Sequence, residues 1–169
     1  MKGGVLLDLF YRIKIIRSIV IPIFTMCFLF SFGVSGCYGN SYENLGLINS
    51  LLKPCPKSPN CVSSQSSVQE NQIDPISFSD SLKEVKVRLK KAIELTGKTN
   101  FVTQKHLYWH IEFTTRFLGF VDDVEFFFDK SQSIIHVRSA SRLGYWDFGV
   151  NRNRVEKIRS HLEKSVNGN

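Results

Sequence analysis

At 169 residues the chain has room for one ordinary domain, and 43% hydrophobic and 12% aromatic residues are enough for a buried core, which excludes disorder throughout. The formal charge of +7 falls to a mild excess beyond residue 36, because residues 37–169 carry 18 basic and 14 acidic side chains. No nucleic-acid motif accompanies that excess, so we expect no nucleic-acid partner.

The first 36 residues have the layout of an export signal. Basic residues precede an uncharged apolar run over residues 18–34, which ends in Val34-Ser35-Gly36-Cys37. This ending resembles the cleavage site of bacterial lipoproteins, so we predict that Cys37 becomes a lipidated N-terminus. An uncleaved anchor is the alternative, since a helix of this length reaches about 26 Å and only just crosses a bilayer core. Both interpretations anchor the domain to a membrane of the bacterial cell envelope, on the periplasmic side.

Two cysteines after this segment predict a disulfide. Cys55 and Cys61 frame the sequence CPKSPNC, and an exported protein meets oxidising conditions. A metal site is the alternative, but no histidine or further cysteine lies nearby, and structural zinc takes four ligands. A redox-active pair also stays open, although the spacing is not Cys-x-x-Cys.

Composition sets the predicted boundaries. Residues 37–54 and 62–79 are rich in Ser, Asn, Gln and Pro, which predicts a linker before the domain and a surface loop within it. We place the domain at residues 55–164 and a tail at residues 165–169.

The rest of the domain predicts two helices and about four strands. Ser81 and Glu84 are typical of a capping box, and apolar residues at helical spacing continue from there to Gly97. Period-two alternation predicts strands at 101–104, 107–116, 121–129 and 133–143, and a last helix is expected at 151–165. The expected fold is therefore a two-layer α+β domain, an antiparallel sheet against two helices in the order α-β-β-β-β-α.

Register and orientation follow from the hairpin between the last two strands. If residues 130–133 form the turn, Phe126 faces Val137 on the apolar side and Glu125 faces Arg138 on the other side. In the last helix the apolar residues point inward, and the basic residues mostly point outward. Those basic residues are Arg152, Arg154, Lys157 and Arg159.

Three stretches resemble a known family. They are CPKSPNCVSSQ at 55–65, FVDDVEFFFD at 120–129 and IHVRSASRLGYWDFGVNRNRVEKIR at 135–159. In this order they are similar to domain-of-unknown-function family 1499 of bacteria and plastids, over nearly all of residues 51–164. The resemblance implies a fold and an envelope or lumen location, but no established activity and no catalytic residue.

Polar residues across the predicted sheet form a candidate binding site. Its members are Arg116, Asp123, Glu125, His136, Arg138 and Arg142. Arginine forks flanked by carboxylates suit a small anionic ligand. The same residues would also make cross-strand ion pairs, such as Glu125 with Arg138, on a solvated sheet face, and this structural interpretation is the one we favour.

Catalysis is the competing class of function. His136 or His110, with Asp123 or Glu125, would serve as general base and orienter in a hydrolase. The sequence has no nucleophile elbow, metalloprotease helix, phosphate loop or dinucleotide fingerprint. We therefore expect a non-catalytic binding or structural module without cofactor or metal, whose partners are the membrane and an envelope protein or a small anionic ligand.

The segment before the last helix carries three aromatic residues. We expect Tyr145, Trp146 and Phe148 in the core, with a stacking surface for a sugar or lipid as the alternative. Asp147 or Asn151 is expected to cap the helix that follows.

Overall fold

The computed structural model describes residues 45–115 and 118–167, which form an α+β fold. The predicted signal sequence, Cys37 and Arg116 lie outside the described residues. Neither helix among the described residues is long and apolar enough to cross a membrane.

The described residues contain two helices, eight strands and one 3-10 turn. The helices are α1 (Leu82–Thr96) and α2 (Val150–Asn167). The strands are β1 (Leu47–Ile48), β2 (Leu51–Leu52), β3 (Cys61–Ser63), β4 (Ile76–Ser77), β5 (Lys98–Gln104), β6 (Tyr108–Thr114), β7 (Val121–Asp129) and β8 (Ile134–Ser141). The 3-10 turn spans Gln69–Asn71, between β3 and β4.

Six strands form one antiparallel sheet, where the sequence predicted about four. The order is β3-β8-β7-β6-β5, and β4 also pairs with β8. β3 and β4 fall largely in residues 62–79, and the prediction of a surface loop there was wrong. Val62, Ile73 and Ile76 are buried in the core, so a few apolar side chains are enough to bring this polar segment against β8.

The hairpin of β7 and β8 has the predicted register. Phe126 pairs with Val137 and Glu125 pairs with Arg138. Because side chains alternate along a strand, Val124, Phe126 and Phe128 point to the helices and are fully buried there. The prediction of register and of the apolar face is confirmed.

Both helices pack on one face of the sheet. α1 begins with the predicted capping box, in which Ser81 Oγ accepts a hydrogen bond from the Glu84 amide and the Ser81 amide donates to the Glu84 carboxylate. The helices contribute the buried side chains Val85, Leu89, Ala92, Ile93, Val155, Ile158 and Leu162. The inward orientation predicted for the apolar residues of α2 is thus confirmed.

A small hairpin covers part of the other face of the sheet. β1 and β2 are joined by Asn49 and Ser50, which both have positive φ, as the tightest hairpin turns require. β2 lies against β7 and β8, so the middle of this second face is covered by residues of the segment predicted as a linker. The hairpin explains why this face is not the solvated surface that alternation alone suggested.

Cys55 and Cys61 form the predicted disulfide, with an S–S distance of 2.03 Å. Cys61 begins β3 and is buried, so the bond holds the preceding segment against the edge of the sheet. The disulfide precedes α1 in the chain, and Cys61 directly follows the buried Asn60.

Replacing both cysteines by serine is expected to lower the free energy of unfolding by about 2 kcal/mol, because a short closed loop removes this much unfolded-state entropy. Urea unfolding under non-reducing conditions measures the difference. Wild-type protein treated with dithiothreitol is the control and should unfold at the midpoint of the double variant. Equal midpoints for oxidised wild type and the double variant would contradict the prediction.

The aromatic residues before α2 are exposed, and the prediction that they lie in the core was wrong. Phe148 is 92% exposed and Trp146 is 65% exposed. Asp147 accepts hydrogen bonds from the amides of Gly149 and Asn151, as predicted for a cap, and these bonds fix the backbone that turns the aromatic rings outward. We call residues 143–150 the aromatic loop.

Candidate functional site

A row of charged residues crosses the second face of the sheet, opposite the helices. Asp123 and Glu125 come from β7, His110 and Glu112 from β6, Arg138 from β8, and Arg142 from just beyond β8. Strand alternation places them on one face, and we call them the polar strip. Most of the strip is buried, so the expectation of a solvated sheet face was wrong.

Glu125 is the most buried member of the polar strip, at 0% exposure. Its carboxylate accepts hydrogen bonds from Arg138 Nη1 at 2.9 Å, from the Tyr108 hydroxyl at 2.7 Å and from the Gly46 amide at 2.6 Å. Burial and the neighbouring carboxylate raise the pKa of the Tyr108 phenol, which keeps it a donor. The Glu125 carboxylate therefore connects β6, β8 and the segment that directly precedes β1.

Asp123 is the second centre of the strip. It accepts from Arg142 Nε at 2.9 Å and from Arg142 Nη2 at 2.7 Å, a two-pronged contact, and its Oδ1 lies 2.7 Å from His110 Nε2. Arg142 also contacts the Glu112 carboxylate. Hydrogen bonds to Asp123 and Glu112 raise the pKa of Arg142 despite partial burial, so its charge is permanent.

The Asp123 contacts predict acid sensitivity. Burial raises the pKa of this carboxyl, but hydrogen bonds from Arg142 and His110 lower it by more, so the pKa of Asp123 lies below its ordinary value. A carboxyl with a depressed folded pKa stabilises the fold above its unfolded pKa, and this contribution is lost as the pH falls through the folded value. We expect Asp123→Asn to be less stable than wild type at neutral pH and the difference to shrink below about pH 4.

Urea unfolding of both proteins across this pH range tests the prediction. Asp129→Asn is a comparison variant: Asp129 also has a lowered pKa, but it is bound to Ser131 in an exposed turn, so we expect the same direction of pH dependence with a smaller amplitude. A difference between wild type and Asp123→Asn that stays constant with pH would show that the charge of Asp123 is not what stabilises the domain.

His136 lies apart from the carboxylates with which it was predicted to act. Its Nδ1 is 3.2 Å from Ser64 Oγ, and its ring stacks on Phe127 at a centroid distance of 6.0 Å. Burial lowers its pKa. The structure thus brings together Asp123, Glu125, Arg138 and Arg142 from the predicted set, and it places His136 beside a serine instead.

A second polar cluster lies on the core side, between the sheet and the start of α2. Arg154 contacts Asp122, and its Nη1 donates to Asn151 Oδ1 at 2.7 Å and to Ser139 Oγ at 3.0 Å. Arg154 is only 8% exposed, so its predicted outward orientation was wrong. The sequence feature that could have predicted the inward orientation of Arg154 is Asp122. Strand alternation places Asp122 on the same face as Val124 and Phe126, and a carboxylate buried there needs a cation beside it.

Asn151 links this cluster to the disulfide segment. Its Oδ1 also accepts from Ser139 Oγ at 2.6 Å, while its Nδ2 lies 2.9 Å from the Asn60 carbonyl and 2.9 Å from Ser141 Oγ. Asn60 in turn donates to the Gly144 carbonyl at the start of the aromatic loop. The side-chain amides of Asn60 and Asn151 therefore connect residues that are distant in the sequence. No local sequence pattern predicts these contacts.

A family model of proteins of unknown function, DUF1499, matches residues 51–162. The chain belongs to the DUF1499 family. No curated protein and no solved structure matches it. The three stretches that suggested the resemblance all lie within the range matched by the DUF1499 model.

The contacts give these DUF1499 stretches a common physical role. The first contains Asn60, the second contains Asp122 and the third contains Asn151, and all three residues meet at the core-side cluster or contact its members. Among the described residues no group of three or more His, Cys, Asp or Glu side chains is arranged to hold a metal ion. The charged groups are thus arranged mainly as contacts between segments.

Proposed function

We propose that this DUF1499 protein is exported and anchored to a membrane of the cell envelope through a lipidated Cys37, and that its domain is a non-catalytic binding or structural module. The observation that supports a non-catalytic role is the pairing of charges in the polar strip. Glu125 is bound by Arg138, and Asp123 is bound by Arg142 and His110. A carboxylate held in this way can accept a substrate proton only after a buried ion pair is broken.

The same pairing bears on the small anionic ligand expected from the sequence. An anion that binds Arg138 or Arg142 has to displace Glu125 or Asp123, and it then leaves a buried carboxylate without its cation. The geometry therefore supports a structural role for the polar strip better than a binding role. A partner is better sought on the exposed parts of the domain.

Export is supported by the leader-like sequence together with the disulfide. Disulfides such as Cys55–Cys61 persist in oxidising compartments and are rare in reducing ones. The basic stretch, apolar run and Val34-Ser35-Gly36-Cys37 ending supply the segment that directs and anchors such a chain.

Intact mass spectrometry of the protein purified from its native membrane tests the anchor. We expect a mature chain that begins at an acylated Cys37, and a thiol-alkylating reagent should leave Cys55 and Cys61 unmodified without reductant. Cys37→Ser is the matched variant and should accumulate as the unprocessed chain. Wild-type protein that keeps Met1 and carries no acyl group would overturn the lipid anchor.

The hydrolase alternative has two observations in its favour: Ser64 Oγ lies 3.2 Å from His136 Nδ1, and His110 Nε2 lies 2.7 Å from Asp123 Oδ1, which is one of the histidine–carboxylate pairs expected from the sequence. Against it, Ser64 Oγ also accepts a hydrogen bond from the Val137 amide at 2.9 Å, which ties the hydroxyl to the sheet. Incubation with a fluorophosphonate probe separates the two functions. We expect no labelling, and labelling that Ser64→Ala abolishes would overturn the non-catalytic proposal.

A further inference from the structure

The aromatic loop exposes a group of large apolar side chains at one end of the domain. They are Leu143, Tyr145, Trp146, Phe148 and Val150. Single exposed apolar residues are common on protein surfaces, but five exposed apolar residues within eight positions, with the rings of Tyr145 and Trp146 in contact at a centroid distance of 5.5 Å, mark an interaction surface.

Hydrogen bonds within the domain fix the outward orientation of the aromatic loop. Asp147 binds the amides of Gly149 and Asn151, and Asn60 binds the Gly144 carbonyl. Phe148 has a φ of 53°, in the left-handed region that bulky residues rarely adopt. The surrounding hydrogen bonds hold that conformation and keep the rings away from the core.

A neighbouring loop extends the apolar surface. Leu118 and Phe120, between β6 and β7, are also exposed. The Arg142 amide donates to the Val121 carbonyl at 3.3 Å, so the ends of the two loops lie side by side. We call the surface formed by the aromatic loop with Leu118 and Phe120 the aromatic end.

Two lysines adjoin the aromatic end. Lys98 and Lys157 are exposed and line an open cleft of about 790 Å³ together with Val150 of the aromatic loop. Glu94 and Arg154 also line it, and Arg154 is bound to Asp122. Among the described residues, the exposed cations that line this cleft are therefore these two lysines.

This combination fits a membrane surface. Trp and Tyr concentrate at the level of lipid head groups, and lysines near a bilayer are attracted by anionic lipids. The proposed lipid anchor is at Cys37 and the described chain begins at residue 45, so the seven residues between them span at most about 25 Å. An anchored chain keeps its domain within that distance of the bilayer.

We propose that the aromatic end docks on the anionic phospholipid surface of the membrane that holds the N-terminal segment, with its rings among the head groups and Lys98 and Lys157 against lipid phosphates. This inference rests on the proposed membrane attachment and specifies how the domain lies on the membrane. A protein or glycan partner would need neither lysines in the adjoining cleft nor a short tether.

The two tryptophans of the chain provide the test. Trp146 lies in the aromatic loop, whereas Trp109 is 6% exposed beneath the helices. The full chain is reconstituted in vesicles of phosphatidylcholine and phosphatidylglycerol, with or without lipids brominated on their acyl chains. We expect brominated lipid to reduce the emission of the wild type and to leave that of Trp146→Phe, which reports Trp109 alone, unchanged.

Variants then separate the contributions. The pair Lys98→Gln with Lys157→Gln should weaken the loss of emission, and so should Phe148→Ser. Val87→Ser is the matched control, because Val87 is 65% exposed but lies on α1 away from the aromatic loop, and it should leave the loss unchanged.

The outcomes distinguish this proposal from the anchor itself. A chain that floats with the vesicles while its Trp146 emission ignores brominated lipid overturns the docking and leaves the anchor standing. A chain that does not float overturns both. A third outcome is that Trp146 is shielded from water to the same extent with and without brominated lipid and the chain has twice the mass of one copy. This outcome assigns the surface to a second copy of the chain and also overturns the docking.

Discussion

Replacing Glu125 by alanine is expected to destabilise the domain by about 3–5 kcal/mol, because it leaves the buried Arg138 without its carboxylate. Arg138 Nε is already without a hydrogen-bond partner among the described residues, so few other contacts would stabilise the buried guanidinium charge. The variant also removes the acceptor for the Gly46 amide. Urea unfolding measures the stability, and hydrogen exchange at Gly46 reports whether the β1–β2 hairpin detaches first.

A paired replacement isolates the cause. Glu125→Leu combined with Arg138→Met fills similar space without charge and should be more stable than either single variant, since removing both partners leaves no isolated buried charge. A Glu125→Ala variant that loses less than about 1 kcal/mol would mean that the ion pair and the hydrogen bonds of Glu125 together add little to stability. A double variant less stable than both singles would contradict the explanation.

Asn151→Ala is expected to cost about 3 kcal/mol, because several buried groups lose their partner and each unpaired group costs about 1–3 kcal/mol. Ser139 and Arg154 lose an acceptor, and the carbonyl of Asn60 loses a donor. The effect should appear as a lower urea midpoint with an unchanged slope, as expected when the native contacts change and the unfolded surface does not.

Asn153→Ala is the matched control for this variant. Asn153 lies two residues further along α2 with its side chain exposed, so its replacement should change stability by no more than about 0.5 kcal/mol. Similar losses in the two variants would indicate a general effect of asparagine on α2. Because Asn60 also contacts the aromatic loop, Asn151→Ala should further increase hydrogen exchange around Gly144.

Much of the fold was predictable because local signals agreed. The capping box at Ser81 gave the start of α1, and alternation with a short turn gave the β7–β8 register down to the pair of Glu125 and Arg138. β3 and β4 were missed because strands of two or three residues have no period of their own. Their existence depends on pairing with β8, a distant partner.

The candidate site was only partly predictable. Alternation identified which charged residues share a face, but the same pattern describes a solvated face and a covered one, and the cover comes from the distant segment around Gly46. Hydrophobicity likewise placed Phe148 in the core, whereas hydrogen bonds to Asp147 decide its orientation. Both errors arose where a long-range contact or the loop's own hydrogen bonds outweighed composition.

The edges of the six-stranded sheet affect whether neighbouring copies of the domain can associate through their strands. On one side β8 is covered by two short strands, β3 and β4, and on the other side β5 carries a bulge between Phe101 and Thr103. Short or bulged edges offer no long straight ladder for another chain to extend, which guards against aggregation. Many copies concentrated on one surface would therefore resist strand-to-strand association.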